Sequence, residues 1–235
     1  MLRRAATVKG GQRLELPVNI IFLSYSQACF EDKECAPRYV DYELEYVIVN
    51  QEFSFKWVRE HPTWRLLQRG VPKFDVAVLV LARSVELTDF IQPACLPRPE
   101  GFNRGPLAIT GWGNTNPGSG PPKPADILQL LNVKEVQLPS CNEQWRSAVD
   151  EDLLPSHICV TGVHLGKSAC KGDSGGPLVR NLDLGVVWQL AGVVSFGTNN
   201  CGNVDLPLGF IRIEGEVNTW LRNIIGDRLP VYPAE

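Results

Sequence analysis

The stretch SACKGDSGGPLV, Ser168 to Val179, sets one hydroxyl, that of Ser174, among glycines. Gly172 before it and Gly175 and Gly176 after it let the backbone bend tightly and bring two N–H groups to one point beside the hydroxyl. Acyl transfer uses that arrangement, because the oxygen of an attacked carbonyl becomes an anion that fixed N–H donors can hold. A serine hydroxyl is still a weak nucleophile until a neighbouring base takes its proton. Histidine is the usual base, and the chain has three, His61, His157 and His164.

The elements that would position these groups read as strands. Short apolar runs rich in β-formers, EYVIV, DVAVLVL, GPLAITGWG, LLNVKEVQL, GGPLV and VVWQLAGVVSFG, are separated by Gly, Pro and Asn at short spacing. That pattern predicts an all-β barrel or sandwich. Two segments break it. PSCNEQW reads as a short helix, and EGEVNTWLRNII puts Val217, Trp220, Leu221 and Ile224 on one helical face. NTNPGSGPPKPAD, from Asn114 to Asp126, has the composition of a long exposed loop.

Composition narrows the function classes. With 235 residues, 44% of them hydrophobic, the chain holds core material for one large domain or two small ones. A net charge of −3 without blocks of like charge leaves no basic footprint, so nucleic acid is not an expected partner. No apolar run nears the roughly 20 residues of a bilayer span. Seven cysteines without C-x-x-C or zinc spacing point to an oxidising compartment, and no metal or cofactor is expected. The N-terminus offers only a thin apolar stretch, Leu16 to Leu23, interrupted by Asn19. An incomplete or alternative N-terminus is expected there rather than a signal peptide.

The order of these motifs resembles that of the chymotrypsin/trypsin-like serine endopeptidases. GDSGGPL resembles that family's nucleophile loop, and KFDVAVLVL the segment carrying its triad aspartate. IQPACLP and GWG resemble its interbarrel segment and the start of its second barrel, and VVSFG its substrate-binding strand. The likeness runs from about Cys29 to Ile225. It implies two antiparallel six-stranded β-barrels, the first incomplete, with a C-terminal amphipathic helix. The first barrel would occupy about 29–98, the second about 105–215 and the helix about 215–226, between an atypical segment 1–28 and a tail 227–235.

By that resemblance Ser174 is the nucleophile, and Gly172 and Ser174 supply the backbone donors of the oxyanion hole. Asp75 is the buried carboxylate that orients the catalytic imidazole. The imidazole is the difficulty: where the family reads Ala-Ala-His-Cys, the comparable segment here is YSQACF, with Ala28 in the histidine's place. His61, in EHPTW, resembles a surface loop shortly before the aspartate, while His157 and His164 precede the nucleophile loop. None of the three is expected to reach Ser174 with Asp75 behind it. Active members also pair a newly cleaved apolar N-terminus with the aspartate before the nucleophile, here Asp173, and no equivalent of that N-terminus is found. A zymogen-like pocket is expected, with Asp173 solvated or bonded to another donor.

The resemblance pairs Cys141 with Cys159 and Cys170 with Cys201. Cys95 stands where many members bridge to a propeptide or light chain, and Cys29 has lost its upstream partner. An exposed thiol, an intermolecular bridge and a Cys29–Cys35 bridge all stay open. Ser168, six positions before the nucleophile, would be the floor of the specificity pocket, favouring an apolar or small side chain over Arg or Lys. Ser195, Phe196 and Gly197 match the pocket's wall strand. Leu208, in DLPLGF, stands where Pro-Gly is usual, and either fills the pocket or changes nothing.

The expected function is that of a secreted serine endopeptidase homologue, acting on or binding protein or peptide, and catalytically impaired for want of the triad histidine. Two alternatives remain: an active protease whose full-length form carries the histidine segment, and a non-catalytic protein-binding module.

Overall fold

The computed structural model describes residues 20–22, 55–64, 71–81, 94–98, 105–116, 121, 123–149, 151–164, 166–183, 187–198, 201–202 and 206–225. Nine strands and two helices fall within them: β1 (Ile20–Phe22), β2 (Phe55–Glu60), β3 (Ala77–Leu81), β4 (Leu107–Gly111), β5 (Gln129–Val136), α1 (Leu138–Trp145), β6 (His157–Gly162), β7 (Pro177–Asp183), β8 (Val187–Phe196), β9 (Leu208–Arg212) and α2 (Gly215–Ile225). The expected strand EYVIV, along with Ala28, Cys29 and Cys35, lies outside the described residues.

Strands β4 to β9 close into a six-stranded barrel in the order β4-β5-β6-β9-β8-β7, with every neighbouring pair antiparallel. Alternation along the strands builds it. On β5, Leu131 and Val133 turn inward while Leu130, Asn132 and Lys134 face out. The interior is filled by Leu107, Ile109, Ile158, Val160, Leu178, Val194 and Phe210. Closure leaves this half of the molecule without a sheet edge.

The first half is a three-stranded sheet, β1-β3-β2, among the described residues. Its β2–β3 pair is antiparallel, but β1 joins β3 in parallel, Ile20 opposite Ala77, a local departure from the antiparallel pairing of the family barrel. The physical reason is an open edge: β3 offers unpaired backbone groups on its side away from β2, and an apolar extended segment can satisfy them.

The same period of two that fills the barrel also docks α2. Val193 and Ile211, alternating with the inward Val194 and Phe210, face outward into a second cluster. There they meet Val76 and Val78 from the first sheet, Leu96, and Val217 and Leu221 from α2, both fully buried. Trp220 and Ile224 pack beside them, so the four residues read from the sequence do share the docking face. An eleven-residue helix is marginal alone, whereas each fully buried Val or Leu contributes about 1.5–3 kcal/mol, so docking rather than propensity holds it. Polar ties fix its position: the Asn218 side-chain amide and the Arg222 guanidinium both donate to the Pro97 carbonyl at 2.8 Å. The helix thus clamps the interbarrel segment and the strand after Asp75 onto the closed barrel.

Candidate active site

Asp75 sits at the mouth of β3, 3% exposed. The chain enters it through a tight turn in which the Val76 N–H donates to the Phe74 carbonyl at 2.7 Å, with Phe74 at φ 51°. That left-handed backbone is unfavourable for a bulky residue. Ring packing offsets the cost: Phe74 stacks on His61 with centroids 4.5 Å apart, against the edge of the second core cluster. The Asp75 carboxylate accepts a hydrogen bond from Ser195 Oγ at 2.7 Å. The family resemblance puts Ser195 in the pocket wall and says nothing of this bond. Nothing over a separation of 120 residues announces the bond, and the packing of Val76 and Val78 against Val193 and Ile211 is what brings the two groups together.

The loop of Ser174 closes on the same strand. Gly175 N–H donates to the Val194 carbonyl, and Val194 N–H donates to Gly176, both at 3.0 Å. Two successive residues of β8, Val194 and Ser195, therefore hold the loop of Ser174 and the carboxylate of Asp75. Ser174 itself is exposed. The loop needs its glycines, with Gly172 at φ 98° and Gly175 at φ 75°. Asp173 N–H turns inward to the Cys170 carbonyl at 2.9 Å, while the flanking N–H groups of Gly172 and Ser174 have no partner among the described residues.

The Asp173 carboxylate has found other donors. Its Oδ1 accepts from Gly113 N–H at 2.7 Å and its Oδ2 from Cys170 N–H at 2.9 Å. This explains the GWG motif in physical terms. A Cβ on Gly111 would stand 2.0 Å from one carboxylate oxygen, and a Cβ on Gly113 would stand 2.2 Å from the other. Beside the carboxylate lies a cavity of about 380 Å³, lined in part by Gly113, Leu131, His164, Lys167, Ser168 and Asp173.

The three histidines lie elsewhere, two of them in buried contacts. His61 is buried, its Nδ1 2.9 Å from the Thr63 hydroxyl, its ring between Phe74 and Trp220, and its Nε2 without a partner among the described residues. Burial lowers its pKa, against an opposing pull from Glu216. His157 is also buried, with Nδ1 2.8 Å from the Leu154 N–H and Nε2 3.0 Å from the Pro72 carbonyl. His164 is exposed, on the wall of the Asp173 cavity. None of them hydrogen-bonds to Ser174 or Asp75.

The walls of the site are tied covalently. Cys141 is joined to Cys159, linking α1 to β6, and Cys170 to Cys201, linking the loop of Ser174 to the segment after β8. Cys95 is buried, with its carbonyl accepting from Leu190 N–H at 2.8 Å. Ser168 Oγ accepts from Gly202 N–H at 2.6 Å and donates to the Ala169 carbonyl at 3.0 Å. Opposite it, Leu208 Cδ2 lies 3.0 Å from where a Cβ on Gly197 would stand. The Phe196 ring covers Gly209, where a Cβ would come within 2.0 Å of ring carbon.

The profile of the family described as Trypsin matches residues 28–221. Among similar proteins, a CLIP domain-containing serine protease B15 of Anopheles gambiae is 31% identical over 188 residues, covering 78% of this chain and 49% of that protein. Serine protease ea of Drosophila melanogaster is 34% identical over 202 residues, 82% of this chain and 46% of that protein. The clotting factor G beta subunit of Tachypleus tridentatus is 31% identical over 193 residues, covering 78% and 56%. The chain thus spans about half the length of the relatives it matches. Neuropsin, a serine protease expressed in the limbic system of mouse brain, superposes with a TM-score of 0.60 at 24% identity, over 75% of this chain and 73% of that one, a likeness of fold. With a closed six-stranded barrel, a second sheet, a C-terminal helix and a family match over most of its length, the chain belongs to the trypsin family of serine proteases.

Proposed function

We propose that this chain is a serine endopeptidase homologue in which Ser174 lacks a base, so that it engages protein or peptide chains without cleaving them at an enzyme's rate. The observation that carries this reading is the engagement of His61 and His157 in buried contacts away from Ser174 and Asp75, with Ala28 at the position where the resemblance expects the triad histidine. Ser174, Asp75 and the unpartnered N–H groups of Gly172 and Ser174 keep the roles the resemblance gives them. A cradle of this kind still stabilises an oxyanion, worth roughly 10³–10⁴-fold over water with a triad member removed. A fluorophosphonate probe applied to the full chain should therefore leave Ser174 essentially unlabelled. Labelling that disappears in Ser174→Ala would overturn the proposal.

A second reading, that a longer form supplies the histidine and is active, draws support from one detail. Ser195 already holds Asp75 buried and hydrogen-bonded, the state in which a carboxylate can orient an imidazole. The two disulfides favour secretion. Cys95 is the residue from which a disulfide-linked propeptide or light chain would attach, and its burial would require that partner to reach into the interbarrel seam.

For specificity, we read Leu208 as filling the pocket. Ser168 has spent its hydroxyl on Gly202 and Ala169, and Leu208 packs on the barrel's inner cluster close against Gly197. Leu208→Gly should open room for a small aromatic molecule. Indole added to the variant should shift the NMR resonances of Ser168 and Gly197 saturably, with no such shift in the wild type; equal binding by both would contradict the plug.

A further inference from the structure

The residues just before Asp75 are held on the closed barrel by contacts in which His157 is central. Val71 packs into the cluster of Cys141, Trp145, Leu153 and Cys159. The Pro72 carbonyl lies 3.0 Å from His157 Nε2, and the Lys73 ammonium pairs with Glu151. His157 begins β6 and is 1% exposed, with the Phe196 ring edge-on at 5.7 Å. Its two nitrogens face opposite demands. The Leu154 N–H points at Nδ1 from 2.8 Å and needs a bare lone pair, while the Pro72 carbonyl needs a hydrogen on Nε2. Only the neutral Nε2–H tautomer satisfies both.

We propose that His157 is a positioning residue, a latch that fastens the segment leading into Asp75 to the second barrel while its imidazole is neutral and releases it in acid. Protonation would put an N–H on Nδ1 against the Leu154 N–H and bury a cation. The groups that face the ring explain why the fold cannot accept that charge. Lys73, on the latched segment, is itself cationic, and Glu151, the acid nearest to it, is already its partner. Phe196 on β8 and Trp145 on α1 carry no charge. Arg212 on β9 donates its N–H to Ser156, beside His157, and its guanidinium is paired with Glu135 and Glu214. Burial is the largest influence and lowers the imidazole's pKa; the backbone contacts with Pro72 and Leu154 oppose it, and Lys73 adds to it.

The sign follows from linkage. The folded pKa lies below the released value near 6.5, so the released state binds more protons as pH falls. The latch is complete above about pH 6.5 and weakens below it, until the depressed folded value is reached. This holds whether or not Ser174 is active, since it concerns only how the Asp75 segment is held.

The test is amide hydrogen exchange on the full chain between pH 7.5 and 5, a range in which most carboxylates stay ionised. Rates are corrected for intrinsic chemistry and read at Leu154 and Val76. In the wild type, protection at both should fall below pH 6.5, approaching about tenfold per pH unit. His157→Gln can accept from Leu154 and donate to Pro72 without titrating, so its profile should be flat. A wild-type profile in which Leu154 opens but Val76 does not would overturn the latch. So would an unchanged pH dependence in His157→Gln, which would point to His61 instead. Should the variant not fold, imidazole ¹⁵N shifts of the wild type decide: Nε2–H at pH 7.5, with acid release of Val76, supports the latch, and Nδ1–H refutes it.

Discussion

Ala28→His should speed fluorophosphonate labelling of Ser174 by about 10²–10⁴-fold, the range a positioned general base contributes. The groups such a base would work with are already in place. Asp75 is buried and bonded to Ser195, so an imidazole entering from the first barrel would find its carboxylate oriented. Ser174 is exposed on a loop whose glycines take the conformations the turn requires. Serine and base act as a unit, so on the proposed reading a restored base should recover most of the rate that the pair supplies. The gain should vanish largely in Ala28→His combined with Asp75→Asn, because an amide does not stabilise the imidazolium. A folded Ala28→His chain, verified by its thermal melt, that labels no faster than wild type would show that more than the base is missing. A gain indifferent to Asp75→Asn would show that the new histidine works from some other place.

Much of the fold was legible because period-two alternation and turn residues are local signals. GPLAITGWG, LLNVKEVQL and VVWQLAGVVSFG became β4, β5 and β8, and the helical stripe of EGEVNTWLRNII became α2. The site was legible only where a motif carried it. The resemblance pointed to Asp75 and Ser174, yet the bond from Ser195 to Asp75, the Gly113 donor to Asp173 and the contact of His157 with Pro72 join residues 60 to 120 positions apart, and the contact of His157 with Leu154 depends on a tautomer. Composition and spacing do not reveal them, since the packing of the first half on the closed barrel brings Ser195 to Asp75 and Pro72 to His157, and the pairing of β4 with β7 brings Gly113 to Asp173. The Asp173 carboxylate shows the same point. Its donors were expected to come from solvent or from an unnamed group, and GWG proved to provide one through a glycine whose lack of a Cβ is what admits the carboxylate.

Phe210→Ala should cost about 3–5 kcal/mol, the range for removing a fully buried aromatic side chain, and lower the midpoint of thermal unfolding by roughly 2–4 °C per kcal/mol. Phe210 is completely buried on β9, the strand whose pairing with β6 on one side and β8 on the other closes the barrel. Its ring fills the interior beside Ile158 and Val194, and the cavity left behind cannot collapse easily because both neighbouring strands are held in register. The loss should reach the site as well. Leu208 and Gly209 precede it on the same strand, against Gly197 and Phe196, and Val194 holds the loop of Ser174. Exchange at the Gly175 and Val194 amides should therefore speed up along with global unfolding rather than independently of it. A cost below about 1.5 kcal/mol, typical of a volume-conserving change, would mean that β9 does not close the barrel as described, and the proposed plugging of the pocket by Leu208 would fall with it.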